Sequence, residues 1–321
     1  MKISFVIPCY NSEKNIHGVL EEIRNAMSGR PEVEYEVVLV NDCSKDRTAD
    51  IIKEIAHEDP HVIAVDLAKN AGQPNALLAG FNHVSGDYIM TSDDDGQTPV
   101  GRVFDFLDEI NKGYDVVCAR YTERKQQSLF RRMGTWVNTK MSDWLIEKPK
   151  GTYMASFFMA RRYIIDEMIK YKQPYPYIAG LILRTTQNIG NIDMEQRERS
   201  SGSSGYSISK LLKLWVNGFT AFSIKPLRIS AGLGAVMGAS GALLAFITGL
   251  RKLIVPEGKS SSFLISVNLT VGGLILLFMG MVGEYIGRIY MCINETPQYV
   301  VKETVGYHSK TSCPYTWHHH K

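Results

Sequence analysis

Three carboxylates in a row, Asp93-Asp94-Asp95, with the amide of Gln97 two residues beyond, are the part of this sequence best suited to chemistry. In a loop, side chains at i and i+2 can converge on one cation. A hard divalent ion prefers carboxylate and amide oxygens and keeps water and phosphate oxygens as its other ligands. Held there, such an ion would neutralise a departing diphosphate. A lone Asp-x-Asp is also what an ordinary solvated loop carries. The apolar strand just before it, and Gln97 just after it, favour the binding of a divalent cation by this acidic run.

The elements that must position these residues can be read from apolar spacing. Strands are predicted over Ile3–Pro8, Tyr35–Val40, Val62–Leu67, Tyr88–Thr91 and Val116–Ala119. Helices are predicted between them, over Ile16–Met27, Thr48–His57, Asn75–Val84 and Val103–Asn111. Strands alternating with helices imply an α/β fold with a mostly parallel sheet. In such sheets ligands bind beyond the carboxyl ends of the strands. Tyr10-Asn11, Asn41-Asp42 and Asp93–Asp95 all fall there, so three strand ends deliver polar groups to one edge.

The rest of the chain has a different character. Over 321 residues, charged types make up 21% and hydrophobic types 45%, which excludes global disorder. A net charge of +3, with no basic stripe carrying stacking aromatics, argues against a nucleic-acid partner. The mean hydropathy of −0.11 hides two uncharged stretches, Ile229–Leu250 and Phe263–Gly283. Each reaches the ~20 apolar residues a helix needs to cross a bilayer.

The expected organisation is a head over 1–206, an amphipathic interfacial helix over 207–226, two transmembrane helices within 227–291 (about 229–250 and 263–286), and a cytoplasmic tail over 292–321. Leu129–Ile146 and Ser207–Phe222 combine helical apolar spacing with Lys and Arg, a pattern suited either to a membrane interface or to packing on the head. Positive charges around the spans give a slight preference for both ends inside. Five scattered cysteines with no CxxC fit reduced thiols in a cytosolic head rather than a disulfide framework or a zinc site. Lys2–Pro8 reads as a strand rather than as a charged region followed by an apolar one, so no signal peptide is expected. Thr304–Lys321, with His318-His319-His320, is expected to be unstructured.

Four ordered segments carry a resemblance: Ile7-Pro8-Cys9-Tyr10-Asn11, Val40 to Thr48 (Val-Asn-Asp-Cys-Ser-Lys-Asp-Arg-Thr), Lys69-Asn70-Ala71-Gly72-Gln73, and Asp93-Asp94-Asp95-Gly96-Gln97. The series resembles family 2 inverting glycosyltransferases of the GT-A (Rossmann-like) fold. The two apolar stretches, with Pro226-Leu227-Arg228 before them and Gly283 to Tyr290 closing them, resemble those of bacterial polyprenyl-phosphate glycosyltransferases. Within these the sequence is most similar to undecaprenyl-phosphate 4-deoxy-4-formamido-L-arabinose transferases and to the glucosyl transferases of O-antigen modification. The likeness covers roughly residues 1–303. It implies a GT-A head followed by a two-helix transmembrane hairpin at the inner (cytoplasmic) membrane, multi-pass, with the head on the cytoplasmic side.

The resemblance also implies roles. Pro8, Tyr10, Asn11, Glu13, Asp42, Lys69, Asn70, Gln73 and Asp94 would bind a nucleotide-sugar, with Arg199 on its diphosphate. Arg120, Arg131 and Thr135 would receive the phosphate of a polyprenyl phosphate acceptor. Asp93, Asp95 and Gln97 would hold Mg2+ or Mn2+ against the diphosphate, and Asp93, Asp95, Arg120 and Arg131 would be the catalytic set. Relatives carry a Lys where Gly205 stands here, and an Asp and an Arg where Thr152 and Phe158 stand. The last two positions border the sugar and acceptor pocket, so the transferred sugar is left open, as is UDP against GDP. No Gln-x-x-Arg-Trp motif is present, which argues against chain polymerisation. Gly232-x-Gly234 and Gly238-x-x-Gly241 would allow close helix packing in a homo-oligomer. Two other readings are a transferase to a lipid-linked sugar hydroxyl and a non-catalytic, membrane-anchored nucleotide-binding subunit.

Overall fold

The computed structural model describes residues 1–121, 149, 151–173, 175–195, 261–294 and 296–306, with isolated positions between 227 and 247. The strands are β1 (Lys2–Cys9), β2 (Glu34–Asn41), β3 (Val62–Leu67), β4 (Tyr88–Thr91), β5 (Val116–Tyr121), β6 (Phe158–Arg161), β7 (Ile189–Met194) and β8 (Val301–Val305). The helices are α1 (Ile16–Ser28), α2 (Thr48–Glu58), α3 (Gln73–Phe81), α4 (Val103–Ile110), α5 (Arg162–Met168), α6 (Ile178–Thr185) and α7 (Ser261–Ile293).

The strands form one eight-stranded sheet in the order β7-β5-β6-β4-β1-β2-β3-β8. The pairs β1·β2, β1·β4, β2·β3 and β5·β7 are parallel. β6 lies antiparallel between β4 and β5, and β8 lies antiparallel on β3. Apolar layers cover both faces, which is why the inner strands read as unbroken apolar runs. Phe5 and Ile7 point into a cluster with Ile16, Leu20 and Ile23 of α1 and Phe106 of α4. Val6, between them, points the other way, into a cluster with Leu78 and Phe81 of α3 and Ile164 of α5. Gly80 lets α3 lie close on β1, because a Cβ there would sit 2.4 Å from Val6 Cγ1.

Every element predicted before residue 120 is present, with small shifts. α3 runs Gln73–Phe81 rather than Asn75–Val84. Gly72, at φ 85°, turns the chain into the helix, and Pro74 in the first turn suits its start. At the other end the Asn82 side-chain amide donates back to the Leu78 carbonyl at 2.8 Å. β5 extends two residues further, to Tyr121, because β7 continues to pair with it.

The later chain brings corrections. The tail is not wholly unstructured: Thr304 and Val305 belong to β8, with Ala64 opposite Val305 and Asp66 opposite Glu303. The 1–206 boundary therefore does not enclose the head, since the return strand completes its sheet. Among the described residues, α7 is the one helix long and apolar enough to cross a membrane, over Val271–Ile293. It extends past the predicted end at 286. The described positions between 227 and 247 are helical, but the first span, and with it the two-helix hairpin, otherwise lies outside the described residues. So do 129–146, the interfacial helix, Arg131, Thr135, Arg199, Gly205 and the histidines at 318–320.

Candidate active site

From β1 the chain moves outward through β2 to β3, then returns to place β4 on the other side of β1. The loops leaving β1 and β4 therefore part at the carboxyl edge, the place where an open α/β sheet forms a crevice. The loops after β2 and β3 flank it.

Two non-glycine residues there hold left-handed backbone, Asn11 at φ 55° and Cys43 at φ 54°, each just past a strand end. Such residues persist only where their surroundings hold them. For Asn11 the holding bonds are visible. Its N–H donates to Ser44 Oγ at 3.0 Å, and its Oδ1 accepts the Lys45 N–H at 2.8 Å. Glu13 continues the same stitching, with Oε2 accepting the Arg47 N–H at 3.1 Å and its own N–H donating to Asp46. Asn11 and Glu13 thus bind the β1 and β2 loops to each other. Tyr10, at the tip, is 46% exposed, an aromatic face open at the mouth of the crevice.

Asp42 is buried, and its carboxylate is committed within the protein. Oδ1 accepts the Ala71 N–H at 2.6 Å and Oδ2 the Gly72 N–H at 2.9 Å. Asn70 donates its side-chain amide to the Asp42 carbonyl at 3.0 Å. Asp42 and Asn70, both expected to line a nucleoside pocket, here shape the loop that would form it. Burial raises the Asp42 pKa despite these two donors. Lys69 projects from the same loop and is exposed, and Pro8 is buried in β1.

The three consecutive aspartates take three different directions. Asp94 faces the β1 loop, where its Oδ2 accepts the Tyr10 N–H at 3.0 Å and the Ser12 hydroxyl. It is a brace for Tyr10. Asp93 lies between Gln73, whose Nε2 donates to Oδ1 at 2.8 Å, and Ser156, whose Oγ donates to Oδ2 at 3.2 Å. Asp95 accepts the Gln97 N–H at 3.0 Å across Gly96, which sits at φ 72°. Burial, and then the neighbouring charge of Asp95, push the Asp93 carboxyl up to about 6.

Tyr121, at the end of β5, is pushed up to about 12 by burial and by Asp93, then by Tyr153 and Asp95. The Tyr153 backbone is gripped on both sides by Asn191 of β7, which accepts its N–H at 2.8 Å and donates to its carbonyl at 2.7 Å. No group of three or more His, Cys, Asp or Glu able to hold a metal occurs among the described residues. The donors on offer are the two carboxylates and the Gln97 amide. Oxygen-only donors and two mutually repelling carboxylates fit a hard divalent cation that takes its remaining ligands from water or phosphate.

Arg120, expected to await an acceptor phosphate, is engaged. Its guanidinium makes a two-point pair with Asp193 of β7, with Nη2 to Oδ2 at 2.9 Å, and both side chains are about half exposed. Phe158, where relatives carry an Arg, is fully buried in β6. Ser12, Tyr121 and Asn191 belong to the site yet lie in no motif, while Tyr153 and Ser156 fall between Thr152 and Phe158, the positions expected to border the sugar and acceptor pocket. Only the fold brings the first three there.

A model of the family described as glycosyl transferase family 2 matches residues 4–169. A Bacillus subtilis (strain 168) protein described as the uncharacterized glycosyltransferase YkcC is 32% identical over 97% of this chain and 96% of its own length. The undecaprenyl-phosphate 4-deoxy-4-formamido-L-arabinose transferase of Serratia proteamaculans (strain 568) is 35% identical over 95% of this chain and 94% of its own. Among solved structures, glucosyl-3-phosphoglycerate synthase from Mycobacterium tuberculosis, in complex with Mn2+, UDP-glucose and phosphoglyceric acid, aligns with a TM-score of 0.49. It shares 19% identity and covers 65% of this chain and 74% of its own.

Proposed function

Because the chain belongs to glycosyl transferase family 2, we propose that it moves a sugar from a UDP-linked donor to polyprenyl (undecaprenyl) phosphate, giving a polyprenyl monophosphate-sugar for cell-envelope glycan modification. The observation that carries this reading is end-to-end similarity to an undecaprenyl-phosphate sugar transferase, in a chain that sets Asp93 and Asp95 at its switch-point crevice.

In this reading Tyr10 offers its ring to the base, and Lys69, with the loop that Asp42 shapes, encloses the nucleoside. Asp93, Asp95 and Gln97 would hold Mg2+ or Mn2+, which when bound supplies charge neutralisation to the departing diphosphate. Gln73 and Ser156 orient the Asp93 carboxylate from its two sides. Arg199 steadies the diphosphate. Arg131, Thr135 and Arg120 receive the acceptor phosphate, Arg120 exchanging Asp193 for it. Guanidinium suits this exchange because its fork binds phosphate and carboxylate in the same bidentate way.

An acceptor phosphate oxygen attacks the anomeric carbon from the face opposite the nucleotide. A C–O bond to the acceptor forms as the C–O bond to the diphosphate breaks, so the centre inverts. A phosphate monoester, with a second pKa near ~6, is mostly dianionic at neutral pH, so the protein need not supply a strong general base. α7 anchors the head at the inner membrane beside its lipid substrate.

The test is a lipid-product assay. Detergent-purified protein, Mn2+, undecaprenyl phosphate and a panel of UDP- and GDP-sugars are mixed and the lipid masses read. A polyprenyl monophosphate-sugar establishes the class and names the donor. No product from any donor, despite saturable nucleotide binding, points instead to a hydroxyl acceptor or a non-catalytic module. Arg131→Ala should weaken use of lipid phosphate and leave nucleotide-sugar binding nearly intact. The reverse pattern would remove Arg131 from the acceptor site.

A further inference from the structure

β8 covers the outer edge of β3, which would otherwise present a row of unpaired backbone groups. Lys53 pairs with Glu303 at 2.7 Å, and Lys302 with Asp66 at 3.5 Å, so the strand is seated by charge as well as by its ladder. Its register breaks between Asp66 and Leu67. Such an irregularity re-aims a strand locally. Immediately beyond it the Ala68 N–H donates to the Val300 carbonyl at 2.8 Å.

Ala68 opens the segment Ala68–Gly72, the loop whose inner side Asp42 holds through Ala71 and Gly72. The loop is thus fixed from both sides, by Asp42 within and by Val300 without. Tyr299 and Ala71 pack on the same apolar cluster, which includes Leu67, Leu77 and Leu78. The Tyr299 hydroxyl accepts the Asn82 amide at 2.8 Å, at the far end of α3. Just before it, the Gln298 amide donates to the Tyr171 and Gln173 carbonyls at 3.0 and 2.6 Å. The Tyr175 hydroxyl lies 3.7 Å from Met291 Sδ in the last turns of α7.

We propose that Tyr299 and Val300 are positioning residues for the donor site, fixing the Ala68–Gly72 loop from outside so that it is already formed when a nucleoside diphosphate arrives. This rests on the donor-binding reading above. A loop held on one side only must lose conformational freedom when the ligand binds, and that ordering cost subtracts from affinity. Holding it on the second side removes the cost in advance. The segment responsible directly follows the apolar helix, so the geometry of the donor pocket depends on how α7 ends.

The experiment measures UDP binding by calorimetry, with Mn2+, on three detergent-purified proteins: the intact chain, a chain ending at Pro297, and the double variant Gln298→Ala/Tyr299→Ala. UDP should bind about tenfold more weakly to the shortened chain, equivalent to ~1.4 kcal/mol. A smaller loss is expected in the double variant, which keeps the β8 ladder and decides the matter where the shortened chain does not fold. In the double variant the KM for nucleotide-sugar should rise while kcat at saturating donor is retained, a split that general destabilisation would not produce. A peptide of residues 298–306 added to the shortened chain should restore affinity, and Tyr299→Phe in place of Tyr299→Ala should recover most of the loss. Unchanged UDP affinity in both altered proteins, with the intact chain binding, overturns the positioning role alone. Absence of UDP binding by the intact chain overturns the donor reading and this proposal with it.

Discussion

The two edges of the sheet each enclose a carboxylate, Glu36 buried and Asp93 partly exposed, and they treat it in opposite ways. At the amino edge Glu36 is enclosed by Lys2 Nζ at 2.5 Å, Ser4 Oγ at 2.6 Å, and the N–H and Oγ of Ser85 at 2.5 and 2.7 Å. Burial alone would raise its pKa, but these donors more than offset it and hold the group below its usual value. At the carboxyl edge Asp93 has two neutral donors and a like charge beside it, and burial with that charge carries it up to about 6. One edge supplies its own cation. The other leaves a negative charge for something outside the protein to answer. An enclosed carboxylate by itself therefore says little about function. What separates the two is whether the fold already provides the countercharge.

The largest expected effect breaks the carboxyl edge. Asp95→Asn should lower transfer by about 10²–10³ even at saturating Mn2+, the range for loss of one preorganised electrostatic contact to a developing charge. It should not lower the thermal midpoint of the metal-free protein, because it relieves repulsion on Asp93. Activity near wild type would show that the two edges do not differ as described.

Glu36→Ala breaks the amino edge instead. It should destabilise the protein by roughly 2–4 kcal/mol, somewhat below a fully buried pair because Lys2 remains partly exposed. The urea midpoint reads this, while kcat per folded molecule stays unchanged. A change in kcat without loss of stability would undo the division between the edges.

Acid titration sets the two directly against each other. The folded Asp93 pKa is raised, so its contribution to stability is present in full below the unfolded value near ~3.9 and is lost as pH rises through about 6. A cation must displace that proton below pH 6, so Mn2+ affinity should fall about tenfold per pH unit there. Glu36 has the opposite sign: its contribution is present above the ordinary Glu value and is lost only as pH falls through its lowered one. Calorimetry with Mn2+ between pH 7 and 5, alongside circular dichroism, should show metal affinity declining while the fold persists. Flat affinity over that interval would mean that Asp93 is not a ligand. The smallest effect expected is that of Asp193→Asn, which releases Arg120 from an exposed pair. It should leave the thermal midpoint unchanged and lower the KM for polyprenyl phosphate by less than about fivefold. A higher KM would mean that Asp193 orients Arg120 rather than occupying it.

The sequence up to Val116 is legible because each strand there is covered on both faces and the helices show either one apolar stripe, as with Ile16, Val19, Leu20, Ile23 and Met27 of α1, or, in α3, a continuous run buried from Asn75 to Phe81. Beyond it the signals weaken for physical reasons. β6 has four residues, and β7 carries Gly190, Asn191 and Asp193 at the sheet's edge. β8 reads Val-Lys-Glu-Thr-Val, an exposed edge strand that owes its place to β3 and to Lys53 rather than to its own hydrophobicity. In the site, the acidic run and the strand-end pairs were visible as types and spacing. Which oxygen faces which donor was not, because that depends on loop backbone. Hence the loop bonds of Asp42 and Asp94 emerge only with the fold, Tyr121 enters with no motif to announce it, and Ser156 had only its place between Thr152 and Phe158 to point to it.

The pairing of β8 with β3 also sets a schedule for synthesis. About 230 residues separate Leu67 from the Val301 it faces. At ~5–20 residues per second, β3 emerges from the ribosome some tens of seconds before its partner exists. All of α7 is made in that interval. The edge of the nascent sheet therefore stays open until the apolar helix has been translated, and the loop after β3 acquires its outer support last. A ribosome stalled before residue 298 would display a head with nearly all of its core and an unfinished pocket rim.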